Sequence, residues 1–169
     1  NINKWRSLKA KNIIKKYKRF DSNFVTFWSN YLKDNSNSLQ ISREAKWQDW
    51  LLKKKIVDNR VIIFACFKNN KILGYSALLI ERKGKYKVGR LLDLIVLKKD
   101  KDIINDLIIN NLNESCKKGC DYFEYRNTSI SRLMNLKRFA AIEIKLNRNN
   151  FYYKSNNVDQ QGPGSSNDD

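Results

Sequence analysis

From Arg60 to Val96 the chain carries VIIFACF, ILGYSALLI and VGRLLDLIV, three aliphatic and β-branched runs separated only by KNNK and ERKGKYK. Links that short join neighbouring antiparallel strands, so the region predicts a three-stranded meander. The third run empties into a knot of charge, KKDKD, and resumes with Ile103, Ile104, Leu107, Ile108 and Leu112 at helical spacing. A helix over Asp102 to Lys118 follows, with Gly119 placed as its left-handed cap. CDYFEYRN then reads as a strand running back. Strand, helix and strand in that order form a crossover unit with a parallel pair.

The flanks read as follows. Trp5, Leu8, Ile13, Tyr17 and Phe20 fall at loosely helical spacings among lysines and predict an amphipathic helix over the first twenty residues. SNFVTFWSNYL sets Phe24, Phe27, Trp28 and Tyr31 at i, i+3, i+4 and i+7, an aromatic stripe expected to pack in the core. After the polar DNSNS, Ser42 is the expected N-cap of REAKWQDWLLKKK, with Trp47, Trp50 and Leu51 on one face. Three helices are therefore expected before any strand. Downstream, TSISRLMNLKRF reads as a helix, AAIEIKLN as an alternating strand and FYYKS as a final strand after the turn NRNN. VDQQGPGSSNDD, with the sole proline, reads as a disordered tail. The expected division is a linking or partner-facing helix over 1–22, one α/β domain over 23–156 and the tail over 157–169.

Composition narrows the function classes. With 169 residues and 41% apolar content, the chain can build one real core. No run approaches the roughly 18 apolar residues of a membrane span, and NINKWRSLKAK has no apolar signal core, so a cytoplasmic protein without a membrane partner is expected. Cys66, Cys116 and Cys120 lack metal-like clustering, and there is no histidine. Zinc and Cys–His catalysis thus lose their usual ligands, and no metal is expected. A net charge of +17 points to a polyanion. However, 24 lysines stand against 10 arginines, and 22 asparagines and 17 isoleucines accompany them, the pattern of AT-rich codons. Nucleic-acid surfaces cluster their basic residues and favour arginine. A basic nucleic-acid module is therefore ranked third.

The meander, the helix after its last strand, the parallel return, the next helix and the closing hairpin together resemble the GNAT acyltransferase fold, from about Asn23 to Tyr153. Locally, NTSISRLMNLKRF resembles the family's element in which an asparagine ends the fifth strand and a Gly-Phe pair closes the following helix. Asn127 and Phe139 fall at its spacing. RFDSNFVTFWSNYLKD followed by SREAKWQDWLLKK is similar to the lead-in of the second half of paired GNAT proteins linked to polysaccharide biosynthesis. There a Phe-Asp pair, a tryptophan and an Arg-x-x-x-Trp-like segment precede the sheet.

The resemblance implies a mixed sheet, with antiparallel meander, one parallel pair and closing hairpin, preceded by helices. It implies that backbone groups of Leu94, Ile95 and Val96 hold the pantetheine arm of acetyl-CoA or another acyl-CoA, with Asn127 also on the cofactor side. The pyrophosphate would meet the turn carrying Lys98, Lys99 and Lys101. Family members build that turn with glycines, which let several N–H groups converge on one anion. Here Asp100 and Asp102 oppose the three lysines, leaving +1, and Asp102 as N-cap would engage N–H groups that phosphate wants. Met134 stands where the family usually has a thiolate-protonating tyrosine, and Arg138 replaces the glycine of the pair. Asp93, Glu124 and Tyr125 are the candidate proton-transfer groups. For Asp93 the competing expectation is an ion pair with a lysine or arginine. The expected function is acyl-CoA-dependent N-acyl transfer to an amine of a sugar or small molecule. The alternative is a noncatalytic GNAT-like half packing on a catalytic partner. A second half or a homodimer partner is expected to cover the Trp5 face.

Overall fold

The structure, a computed structural model, describes residues 10–36 and 42–125. The expectations for Trp5, Leu8, Asn127, Met134, Arg138 and Phe139, for the closing hairpin and for the tail lie outside these residues.

The described chain forms a five-stranded sheet with helices on both faces. In order it runs β1 (Ile13–Tyr17), α1 (Ser22–Asp34), α2 (Ala45–Val57), β2 (Val61–Lys68), β3 (Lys71–Lys83), β4 (Tyr86–Val96), a short 3-10 turn (Leu97–Lys99), α3 (Lys101–Lys117) and β5 (Tyr122–Tyr125). Sheet order follows chain order, β1 to β5. The first three pairings are antiparallel, and β4 pairs with β5 in parallel. The meander and the crossover helix thus stand where their sequence patterns put them. Gly119 takes the left-handed conformation just past α3, with φ 68°.

The expected helix over the first twenty residues is corrected. Ile13–Tyr17 is the first strand in the order of the described sheet, with Ile13 opposite Phe67 and Tyr17 opposite Ile63. A spacing of four fits both periods, because residues i and i+4 share a face of a helix and a face of a strand. One strand therefore precedes the two helices. What holds it is a carboxylate on α3: the Oδ2 of Asp106 accepts from the Lys11 N–H at 3.0 Å, the Asn12 N–H at 2.8 Å and Asn12 Nδ2 at 2.7 Å. Further along α3, buried Glu114 pairs with Lys16 at 2.6 Å.

Two apolar layers sandwich the sheet. On one side Ile103, Ile104, Leu107, Ile108 and Leu112 of α3 pack on Leu78, Leu91, Leu94 and Val96. Two glycines relieve crowding on this side: a Cβ at Gly74 would lie 2.8 Å from Val96 Cγ2 on β4 and 3.2 Å from Ile103 Cγ2 on α3, and one at Gly89 would run into the Ser115 side chain on α3, 2.9 Å from its Cβ. On the other side the aromatic stripe is core, as expected, with Phe24, Phe27 and Trp28 buried against β2, β3 and β4. Asp21 N-caps α1 by accepting from the Asn23 N–H at 3.0 Å.

Trp47, Trp50 and Leu51 share one face of α2, as expected, but it is not the face on the sheet. Ala45 and Leu52, with Ile56 beside them, turn to the sheet, whereas Trp47, Trp50 and Leu51 point outward. Aromatic rings of α1 already fill that layer, leaving a space that small and aliphatic residues fit. Nor is Ser42 the cap: α2 begins after Glu44, which makes no side-chain capping bond.

Candidate functional site

The site is built on the second half of β4. Ala77 is opposite Asp93 and Leu78 opposite Leu91, so Leu92 is an extra residue, a β-bulge. A bulge bends and twists its strand and re-aims the side chains beside it. The described register with β5 runs from Val88↔Tyr122 to Leu91↔Tyr125, while β4 continues to Val96. Over that continuation Leu94 and Val96 enter the α3-side core, and Ile95 enters the aromatic layer. Leu94, Ile95 and Val96 remain in register with Ser76, Tyr75 and Gly74 on β3.

Asp93 faces the aromatic layer and is held from three directions. Its Oδ2 accepts from Tyr75 Oη at 2.7 Å and from Arg43 Nε at 2.8 Å, and its Oδ1 accepts from the Leu94 N–H at 3.1 Å. Tyr75 is buried, and Phe20, Phe24 and Phe27 meet its ring edge-on at centroid distances of 5.6, 5.6 and 5.5 Å. Burial first, and then the Asp93 charge and hydrogen bond, push the Tyr75 phenol well above its ordinary value. Burial alone would lower Arg43, but the Asp93 charge and hydrogen bond outweigh it and hold the guanidinium above its ordinary value. The anticipated ion-pair partner of Asp93 is therefore Arg43, in the loop leading into α2.

Past β4 the chain turns through two consecutive left-handed residues, Lys98 at φ 54° and Lys99 at φ 51°. Side chains other than glycine, asparagine and aspartate rarely adopt this conformation. Asp100, not Asp102, is the N-cap of α3: its carboxylate accepts from the Asp102 N–H at 2.9 Å and the Ile103 N–H at 3.2 Å, and its carbonyl accepts from the Ile104 N–H at 3.1 Å. In KKDKD either aspartate fits a cap pattern, and the backbone decides by giving Asp100 the extended conformation a cap requires, φ −61° and ψ 117°. The side chains of Lys98, Lys99 and Lys101 are exposed around this turn.

Glu124 and Tyr125 do not join Asp93. Glu124 bonds Lys83 Nζ at 2.5 Å and lies 3.5 Å from Arg90 Nε, while Arg90 Nη2 reaches Glu81 at 2.8 Å. Tyr125 packs against the α3-side core, on the opposite face from Asp93. Sequence reasoning passed over Arg43, Tyr75 and Asp100 as site residues. Tyr75 did carry a signal, since a polar-tipped ring inside an otherwise apolar strand needs a partner for its hydroxyl.

Cys66, Cys116 and Cys120 are all buried. Burial pushes Cys66 up to about 11 and also raises Cys120, which leaves those two thiols protonated and unreactive near neutrality. Among the described residues no group of three or more potential ligands could hold a metal, and no helix is long and apolar enough to cross a membrane.

No protein-family model matches the sequence, and no relative is found among curated proteins. Solved structures do match the fold. A predicted acetyltransferase from Clostridium acetobutylicum, with acetyl-CoA, aligns over 80% of this chain and 95% of its own at 12% identity and TM-score 0.59. Glucosamine-6-phosphate N-acetyltransferase from Arabidopsis thaliana aligns over 84% and 99% at 13% identity and TM-score 0.58. An aminoglycoside acetyltransferase from an uncultured soil metagenomic sample, with trehalose, aligns over 85% and 95% at 15% identity and TM-score 0.58. A mixed sheet with one parallel pair, helices on both faces and these structural neighbours together make the fold of this chain that of the GNAT acetyltransferases.

Proposed function

We propose that this chain is an acyl-CoA-dependent N-acyltransferase domain that passes a small acyl group to an amine of a sugar or other small molecule. The observation that carries this reading is the bulged β4, which pairs in parallel with β5 after the α3 crossover and carries Asp93 on the aromatic side. The fit to the cofactor is uneven. The backbone groups of Leu94, Ile95 and Val96 suit an extended amide-bearing arm, which pairs with a strand through such groups. The turn suits a pyrophosphate poorly, because Asp100 already engages the Asp102 and Ile103 N–H groups.

When bound, acyl-CoA supplies the activated carbonyl. The chain's own residues attract, orient and exclude. Lys98, Lys99 and Lys101 attract anionic groups to the turn by charge. Asp93 offers a carboxylate toward an incoming ammonium, and Arg43 and Tyr75 fix its orientation. Because both of its oxygens already accept hydrogen bonds, we assign it the positioning of the amine ahead of proton removal. The capped turn also favours a second reading, a noncatalytic GNAT-like half whose site no longer takes the cofactor.

Calorimetric titration with acetyl-CoA, at low and high salt, tests both. Wild type is expected to bind weakly, with affinity falling as salt rises. Changing Lys98, Lys99 and Lys101 together to alanine should weaken binding further. No heat from wild type at low salt rejects the enzyme reading in favour of the noncatalytic half. Tight, salt-independent binding that the triple variant retains would show that lysine attraction is not what holds the anion.

A further inference from the structure

α2 is apolar on two opposite faces. Ala45, Leu52 and Ile56 face the sheet, yet on the far side Trp47, Trp50, Leu51 and Val57 are 50%, 67%, 52% and 72% exposed. At 100° per residue these four share one outward arc with Lys54 on its crest. Lys46 and Lys53 border the arc on one side and Lys55 on the other. Four lysines stand against one aspartate in the thirteen residues of the helix. The Trp47 and Trp50 rings stack on each other at 4.9 Å and 27°, forming an aromatic ridge rather than a groove. An apolar arc of this kind on a helix is ordinarily covered.

We propose that the outward ridge of α2 docks on an anionic lipid surface, with the helix lying in the headgroup plane. Tryptophan, leucine and valine on either side of Lys54 would enter the headgroup–acyl boundary, where amphipathic indoles are favoured and the Lys54 ammonium can reach back to the headgroups. The bordering lysines extend their apolar stems over the same surface and bring their ammonium groups to lipid phosphates and carboxylates. Thirteen residues are too few to span a bilayer, so the contact is peripheral. Charge decides among occupants. A second copy would bring one lysine-bordered ridge against another, which repel. A single-stranded nucleic acid would need open aromatic faces, but the two indoles stack on each other, and Leu51 and Val57 have no face to stack on. A convex ridge also offers no cleft for a peptide. The inference is independent of the proposed chemistry. It has a geometric consequence for it, since Arg43 ties the start of α2 to Asp93 and docking turns the Asp93 side of the sheet toward the lipid.

The test is flotation of the full chain with vesicles of phosphatidylcholine containing about 30% phosphatidylserine, and with vesicles of phosphatidylcholine alone. Wild type should float with the anionic vesicles and not with the neutral ones. Trp47→Ser with Trp50→Ser should lower the partition at least about tenfold. Lys53→Gln, Lys54→Gln and Lys55→Gln together should lower it about 100-fold. The control Lys68→Gln with Lys71→Gln, at the β2–β3 turn, should change it little. All the substituted side chains are exposed, and matching thermal transitions would establish that each variant folds. The proposal is overturned if wild type stays off anionic vesicles, or if the tryptophan variant floats like wild type, which would mean that dispersed charge alone binds. It is also overturned if the tryptophan pair instead governs self-association in sedimentation or binding to a single-stranded oligonucleotide.

Discussion

The Tyr75 hydroxyl donates to Asp93 Oδ2 at 2.7 Å, and Arg43 Nε donates to the same oxygen at 2.8 Å. Removing either donor leaves a mostly buried carboxylate short of a partner. Arg43→Ala should cost about 1–3 kcal/mol, reduced from the value for a fully buried pair because both side chains retain some solvent contact. Urea midpoints measure it. A loss no larger than that of a surface arginine would mean the pair is not structural.

Tyr75 also gives a sign for the pH dependence. Its pKa is raised by burial and by Asp93, so the unfolded phenol loses its proton first as pH rises. The stabilisation is complete below the unfolded value of about 10 and declines as pH climbs from there toward the folded value. Between about pH 8 and pH 11 wild type should therefore lose more stability than Tyr75→Phe. Equal losses would remove Tyr75 from the alkaline transition.

Asp106 gathers three donors from Lys11 and Asn12 onto one buried oxygen. Asp106→Ala should cost about 2–3 kcal/mol. Hydrogen exchange in Ile13–Tyr17 should quicken by more than in β3, since the anchor acts on β1 first. Uniform quickening across the sheet would show that β1 is held by its ladder alone.

At the turn after β4, Lys98 and Lys99 both occupy the left-handed region. Lys98→Gly and Lys99→Gly should each be neutral or stabilising by up to about 1 kcal/mol, in contrast to the usual loss on introducing glycine. Thermal unfolding distinguishes the two cases.

Gly89→Ala should be destabilising by about 1–3 kcal/mol, because its Cβ would meet Ser115 on the facing helix. Pairing it with Ser115→Gly should recover part of the loss in a double-mutant cycle.

The sheet was legible in the sequence wherever one period excluded the other. Short turns between aliphatic runs admit only a meander, and the α1 aromatics at helical spacing packed as read. Ile13 and Tyr17 misled because a spacing of four satisfies helix and strand alike. That Trp47 and Trp50 share a face was legible, but which way it points was not, because α2 carries a smaller apolar face on its other side. The site was legible in part. Asp93 could be named, and so could a cationic partner in general. Which cation pairs with it depends on a loop that returns from Arg43 across fifty positions, and periodicity carries no information on that. Likewise the choice of Asp100 over Asp102 follows from backbone angles rather than residue type.

The anchoring of β1 by Asp106 sets an order of events on the ribosome. Residues 10–17 leave the exit tunnel before their partners, since β2 lies some fifty residues later in the chain and Asp106 ninety-four beyond Asn12. Until those residues emerge β1 has neither this neighbour nor this anchor, and α1 and α2 can form locally while it waits. Closing so long a loop adds little entropy beyond that of a moderate one, but it does postpone the contact. β1 is thus made well before the strand and the helix that seat it, and a nascent chain halted before α3 should leave Ile13, Ile14 and Tyr17 open to chaperones.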